Sequence, residues 1–167
     1  MCHTFAKTAA VMALFALPAV AEELPAPTGD VILTVTGAGV TNTEGAAALD
    51  LATLEGMGST TIETSTIWTE GTQTFEGVLL RVLIDRLGIE GKSLNAVAIN
   101  DYAVEIPTSD AVEGGPIIAY KVNGKLISVR DKGPLWVIYP YDADPAYQAE
   151  VIYSRSIWQL DRLDVVQ

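Results

Sequence analysis

Hydrophobic positions along this chain come in short alternating or continuous runs, divided by polar stretches bearing Gly, Pro, Asn or Asp. Residues 30–37 are rich in β-branched side chains and stop at Gly37, which predicts a strand. Residues 37–45 are polar and glycine-rich and predict a loop. Residues 46–54 favour helix by their Ala and Leu content, with Glu55-Gly56-Met57-Gly58 as the stop. Residues 60–68 are mostly Thr and Ile and read as extended. Residues 69–77 have turn character at Glu70-Gly71.

The clearest helix pattern spans 78–87. Val78, Leu79, Val82, Leu83 and Leu87 share one side, while Arg81, Asp85 and Arg86 point away. Gly88 follows where a left-handed C-terminal residue is expected. Residues 94–99 and 102–106 predict paired strands about an Asn100-Asp101 turn, closed by Pro107. Residues 110–115 predict a loop. Residues 117–122 and 125–129 flank Asn123-Gly124, the pair that suits a type I′ hairpin turn. Asp131-Lys132-Gly133-Pro134 predicts a second turn, 135–139 a short apolar strand ending at Pro140, and 141–147 a surface loop. Residues 157–166 predict a final strand with Trp158, Leu160 and Leu163 in the core. The order is strand, helix, strand, helix, then mostly strands. It predicts one α+β domain with mixed pairing and helices on one side.

Composition supports a folded domain. The chain has 167 residues, 49% hydrophobic and only 19% charged, a balance against disorder and of a size for one folding unit. The formal charge of −11 disfavours nucleic acid, which demands a basic footprint, and anionic lipid surfaces.

Residues 1–21 read as an address. Lys7 precedes an apolar run over 9–17, and Ala19-Val20-Ala21 is the small-x-small ending of a secretory signal peptide. The run is shorter than the roughly 20 residues that span a bilayer. Residues 22–29 are expected to be an exported leader and 30–167 the domain, without a stable membrane anchor after cleavage. Periplasmic location is the expectation. Removing 1–21 takes away Lys7 and no acidic residue, so the charge moves from −11 to −12. It also takes away Cys2 and His3, the chain's one Cys and one His. Cysteine nucleophiles, Ser-His-Asp machinery, haem ligation and thiolate or imidazole metal sites are then excluded.

The motif scan is negative for a Walker A sequence, and Gly37-Ala38-Gly39 lacks the third glycine of a dinucleotide fingerprint. Asp142-Ala143-Asp144 offers two alternating oxygen ligands for a hard cation, without an EF-hand continuation. The aromatics Trp68, Tyr102, Tyr120, Trp136, Tyr139, Tyr141 and Trp158 lie along or beside apolar runs. Trp158 and Tyr120 read as core. Trp68, Tyr102 and Trp136 suit either core or the wall of a ligand cleft.

Four phrases carry a resemblance. Trp68, then 75–83 (FEGVLLRVL), then 100–107 (NDYAVEIP), then 133–140 (GPLWVIYP) follow in order. Together they resemble the molybdopterin-binding domain of the sulfite oxidase superfamily, over about residues 30–166. The resemblance implies a compact α+β fold of mixed sheets and oxygen-atom transfer at a molybdenum cofactor. In that family a cysteine four residues before a tryptophan ligates the metal. Counting back from Trp68 gives Thr64, a hard hydroxyl in place of a soft thiolate. Where the family's Gly-Pro-x-Arg phrase carries an arginine, this chain has Trp136.

The resemblance therefore implies a domain that has kept the fold and lost molybdenum catalysis. The expected function is a non-catalytic periplasmic module that binds a small ligand or a periplasmic protein. Its expected cleft residues are Thr64, Thr66, Trp68, Asp101, Tyr102, Arg130 and Trp136, with no catalytic residue, no metal ligand and no cofactor, molybdopterin being disfavoured. Arg130 and Lys132 would meet an acidic ligand, and read equally as a hairpin end and its solvated turn. Two alternatives stay open: a molybdopterin-dependent oxidoreductase with unconventional metal ligation, and an acidic-loop module that is metal-dependent or hydrolytic.

Overall fold

Two five-stranded sheets make up the computed structural model, which describes residues 24–167. The expected signal peptide and the first residues of the leader lie outside the described residues. The first sheet runs β2 (Ala46–Asp50), β1 (Val31–Thr36), β10 (Leu160–Val166), β5 (Ser93–Ala98), β6 (Ala103–Pro107). Its β1/β10 pair is parallel and the others antiparallel. The second runs β3 (Thr60–Ser65), β4 (Thr72–Leu79), β7 (Ile117–Val122). Two short strands share the far flank of β7: β8 (Lys125–Leu126) and β9 (Trp136–Ile138). Three short helices complete the domain: α1 (Leu51–Gly56), α2 (Leu80–Arg86) and α3 (Glu150–Arg155). The expected α+β class with mixed sheets is the observed one.

Local chemistry explains several elements. In β1, Leu33 and Val35 are buried while their neighbours are not, as period-2 alternation requires. Leu83 and Leu87 bury the inner face of α2. Gly88 has φ of +57°, and the N–H groups of Gly88 and Ile89 donate to the carbonyls of Asp85 and Ile84, a Schellman closure. Asn123 and Gly124 both have positive φ between β7 and β8, as the type I′ turn predicts. A Cβ on Gly77 would collide with the Ile118 carbonyl of β7, so only glycine lets β4 approach its neighbour there.

Four expectations need correction. Residues 46–54 are not one helix: β2 takes the first half and α1 the second. Leu49 and Ala47 pair with Leu33 and Val35, so sheet burial overrides Ala and Leu helix propensity. Asp50 makes the break. Its carboxylate accepts from the Thr53 N–H (2.8 Å) and hydroxyl on one oxygen, and from the Thr28 and Gly29 N–H groups on the other. These bonds, led by that to the Thr53 hydroxyl, hold its pKa well below the usual carboxylate range although only 2% of the residue is exposed. The predicted helix at 78–87 starts later, because Val78 and Leu79 finish β4, a strand that the polar residues 72–77 did not announce. The helix α3 falls where no element was predicted: six residues with one buried side chain, Ile152, leave no periodicity to read. The last strand begins at Leu160 rather than 157, since Gln159 has φ of +52° and interrupts it.

The interrupted stretch joins the two sheets. Ile157 O accepts from Val137 N–H, Gln159 N–H donates to Lys132 O, and Leu160 N–H donates to Leu135 O. Gln159 O accepts from Ile99 N–H. Residues 157–160 are thus stitched to β9 on one side and to the β5–β6 corner on the other. The aromatic residues Trp68, Trp136 and Trp158 gather along this seam.

Candidate functional site

Trp68 lies just beyond β3, in a turn that Thr66 shapes. The Thr66 hydroxyl accepts from the Trp68 N–H at 3.1 Å and meets the Thr69 hydroxyl at 2.7 Å, a Ser/Thr-type local turn. The half-buried Trp68 ring makes edge contacts with Trp136, Tyr153 and Trp158, each at 5.8 Å between centroids, and with Tyr141 at 6.4 Å. Trp136 is buried beneath, against Phe75 at 5.6 Å and Trp158 at 6.4 Å. Such perpendicular pairs set the negative face of one ring on the positive edge of the next.

Ser156 locks this cluster from below. Its carbonyl accepts from Trp136 Nε1 at 3.1 Å, and its hydroxyl accepts from Tyr141 Oη at 2.6 Å while donating to Ile152 O. Burial pushes the Tyr141 phenol up to about 12. The Tyr139 phenol is raised further, by burial and by its 2.7 Å bond to the Asp110 carboxylate, which Arg155 also grips at 3.0 Å. Both phenols therefore stay protonated across the physiological range.

A cleft of about 400 Å³ opens over these rings. Trp68, Tyr102, Tyr153 and Trp158 form its aromatic walls, and Asn100 and Ser154 add polar groups. Among the described residues, no charged side chain lines it. Trp158, expected in the core, is 39% exposed on the cleft wall. The segment before β10 faces the seam, and the left-handed Gln159 takes it out of the strand's alternation. Tyr120 is buried as expected.

The other expected residues spread around this centre. Trp68 and Tyr102 line the cleft and Trp136 floors its aromatic cluster. Asp101 sits beside it with φ of +64° and pairs with Arg162 at 2.9 Å. Arg130 is exposed in a short 3₁₀ turn (Val129–Asp131) and does not line the cleft. The Lys132 ammonium lies over the Trp136 and Trp158 rings, at 5.6 and 5.8 Å from their centroids. Thr64 is fully buried at the end of β3. Its hydroxyl accepts from the Asp142 N–H at 3.1 Å and donates to Ser65 O at 3.2 Å. The Asp142 carboxylate reaches back to the Ser65 N–H and hydroxyl at 2.6 and 2.7 Å. Those bonds hold Asp142 below its ordinary pKa. Asp144 caps the next 3₁₀ turn through the Ala146 N–H. The two aspartates of the acidic loop thus serve separate backbone groups. Among the described residues, no group of three or more His, Cys, Asp or Glu side chains converges as a metal site.

The family model for the oxidoreductase molybdopterin binding domain matches residues 33–143 of this chain. The chain belongs to that family. A search of the curated proteins finds no match. The match covers Thr64, Trp68, Tyr102 and Trp136, whereas Tyr153, Ser156 and Trp158 lie beyond it. Among the described residues, the groups around Trp68 are hydroxyls, phenols, indoles and amides, and the Thr64 hydroxyl already has both a donor and an acceptor partner. These are hard or neutral donors and not soft sulfur ones.

The sequence did not point to Asn100, Tyr153 or Ser156 as site residues. Tyr153 and Ser156 belong to or abut the unannounced helix α3. Asn100 was legible only as a turn residue.

Proposed function

We propose that this protein is an exported, non-catalytic small-ligand-binding module built on the molybdopterin-binding domain. The observation that carries the reading is the state of Thr64: buried, with its hydroxyl spent on Asp142 and Ser65. The ligand position that the resemblance identifies is filled by the protein's own bonds, while an aromatic cleft lies open beside it. The signal-peptide pattern over residues 1–21 supports export. Fractionation followed by intact-mass measurement tests this point, with cleavage after Ala21 expected in the periplasmic fraction.

The decisive experiment is metal and pterin analysis of protein produced with abundant molybdate. Molybdenum at trace level and no extractable pterin is the expected result. Stoichiometric molybdenum with pterin overturns the proposal. The competing reading, an oxidoreductase with unconventional ligation, draws its support from family membership itself. It requires cofactor retention by the wild type and turnover of an oxo-substrate. Thr64→Cys gives an internal comparison, because gain of cofactor only in that variant places the deficit at Thr64.

A further inference from the structure

The lining of the cleft narrows what it can take. We infer that the cleft beside Trp68 binds an uncharged ring compound with an apolar face and a hydrogen-bonding edge, the chemistry shared by neutral saccharides and free nucleosides. This rests on the ligand-binding reading above.

Charge is the first argument. Among the described residues no Asp, Glu, Lys or Arg lines the cleft. Lys132 stands against the Trp158 wall with its ammonium over the Trp136 and Trp158 rings. An anion would have to draw it off those faces, and a cation would meet no counter-charge in the lining. The flanking Asp101 and Arg162 are already paired with each other at 2.9 Å. An anion would also approach a chain of formal charge −11. A cationic ligand would seek the faces of the indoles. Lys132 already places its ammonium over Trp136 and Trp158, which opposes a second positive charge.

The shape of the walls is the second argument. Trp158 and Tyr102 are 39% and 56% exposed and stand together in one cleft lining, where grouped aromatic surface suits a small ligand. Trp68 meets Trp158 at 77° and Tyr153 at 89°, so the rings form a corner with one broad platform and upright edges. A ring laid on that platform has hydrogen-bonding groups around it. The Asn100 side chain spends Oδ1 on the Tyr102 N–H at 3.2 Å, which leaves its amide donors for a ligand. Tyr102 and Tyr153, also in the lining, each carry a neutral phenol that can donate and accept. A few polar groups on an aromatic wall are the usual means of orienting a small ligand.

The test is isothermal titration calorimetry of the full exported chain with four probes: a neutral disaccharide, a nucleoside, choline and citrate. Saturable binding of the disaccharide or the nucleoside is expected, and which of the two binds identifies the source. Trp158→Ala is expected to weaken that binding at least tenfold. Tyr102→Ala, at a position more than half exposed, gives a second variant that leaves the core untouched and is expected to weaken it severalfold. Tighter binding of choline or citrate overturns the inference. So does the absence of binding by both neutral probes at millimolar concentration, or unchanged affinity in both variants. A chain free of molybdenum that binds neither neutral probe loses this ligand class alone. A chain loaded with molybdenum and pterin instead overturns the parent reading.

Discussion

The stretch from Thr64 to Trp68 serves two regions of opposite character. At its start, the Thr64 and Ser65 groups are bonded to Asp142 by three hydrogen bonds of 2.6 to 3.1 Å. At its end, four residues on, Trp68 turns its ring into an open cleft. The closed corner is polar, carries a carboxylate and is satisfied by its own backbone. The open cleft is aromatic, and among the described residues no charged side chain lines it. The contrast teaches that uncovered surface in this domain does not follow the position of the expected ligand residue: Thr64 is buried and Trp68 lines the cleft.

Removing the floor of the cleft gives the largest effect. Trp136→Ala deletes a buried ring packed against Phe75, Trp68 and Trp158. A loss of about 3–5 kcal/mol is expected, measured by urea unfolding, together with loss of any cleft binding. Thr64→Val separates the regions. It keeps the shape and strands the Asp142 N–H, at an expected cost of about 1–3 kcal/mol, with ligand affinity in the cleft unchanged. Equal loss of stability and affinity would show that corner and cleft act as one unit. Trp158→Ala is the converse. It forfeits edge contacts on a partly exposed ring, for about 1 kcal/mol of stability, and its main effect is on binding.

The smallest effect is that of pH. The Asp142 pKa is depressed by the Ser65 N–H and hydroxyl. Its contribution is therefore complete above the ordinary value of 3.8 and is lost as pH falls through the lower folded value. The Ser65 amide proton shift should follow that titration, while the Asn100 side-chain amide in the uncharged cleft should not. A joint titration would erase the distinction between the regions.

Much of the domain was legible in the chain. The alternation of β1, the amphipathic face and glycine stop of α2 and the Asn123-Gly124 hairpin are local signals, and local physics decides them. The strand at 46–50 was not legible, because Ala47 and Leu49 are strand residues only through their pairing with Leu33 and Val35. The site divides in the same way. Trp68, Tyr102 and Trp136 could be singled out as large amphipathic rings among apolar runs. Trp158 was misplaced in the core, since one left-handed residue, Gln159, decides its exposure. Tyr153 and Ser156 became visible only when α3 brought them under Trp68, a relation across more than 80 positions that no local pattern encodes.

The seam has one more property. The chain has three tryptophans, and all three stand in it, with ring centroids 5.8 to 6.4 Å apart. Excitation of any one is shared among them, so the intrinsic emission of this protein is the emission of one coupled centre beside the cleft. An optical unfolding curve would consequently register the loosening of residues 68, 136 and 158 and stay dark to the β1–β2 edge.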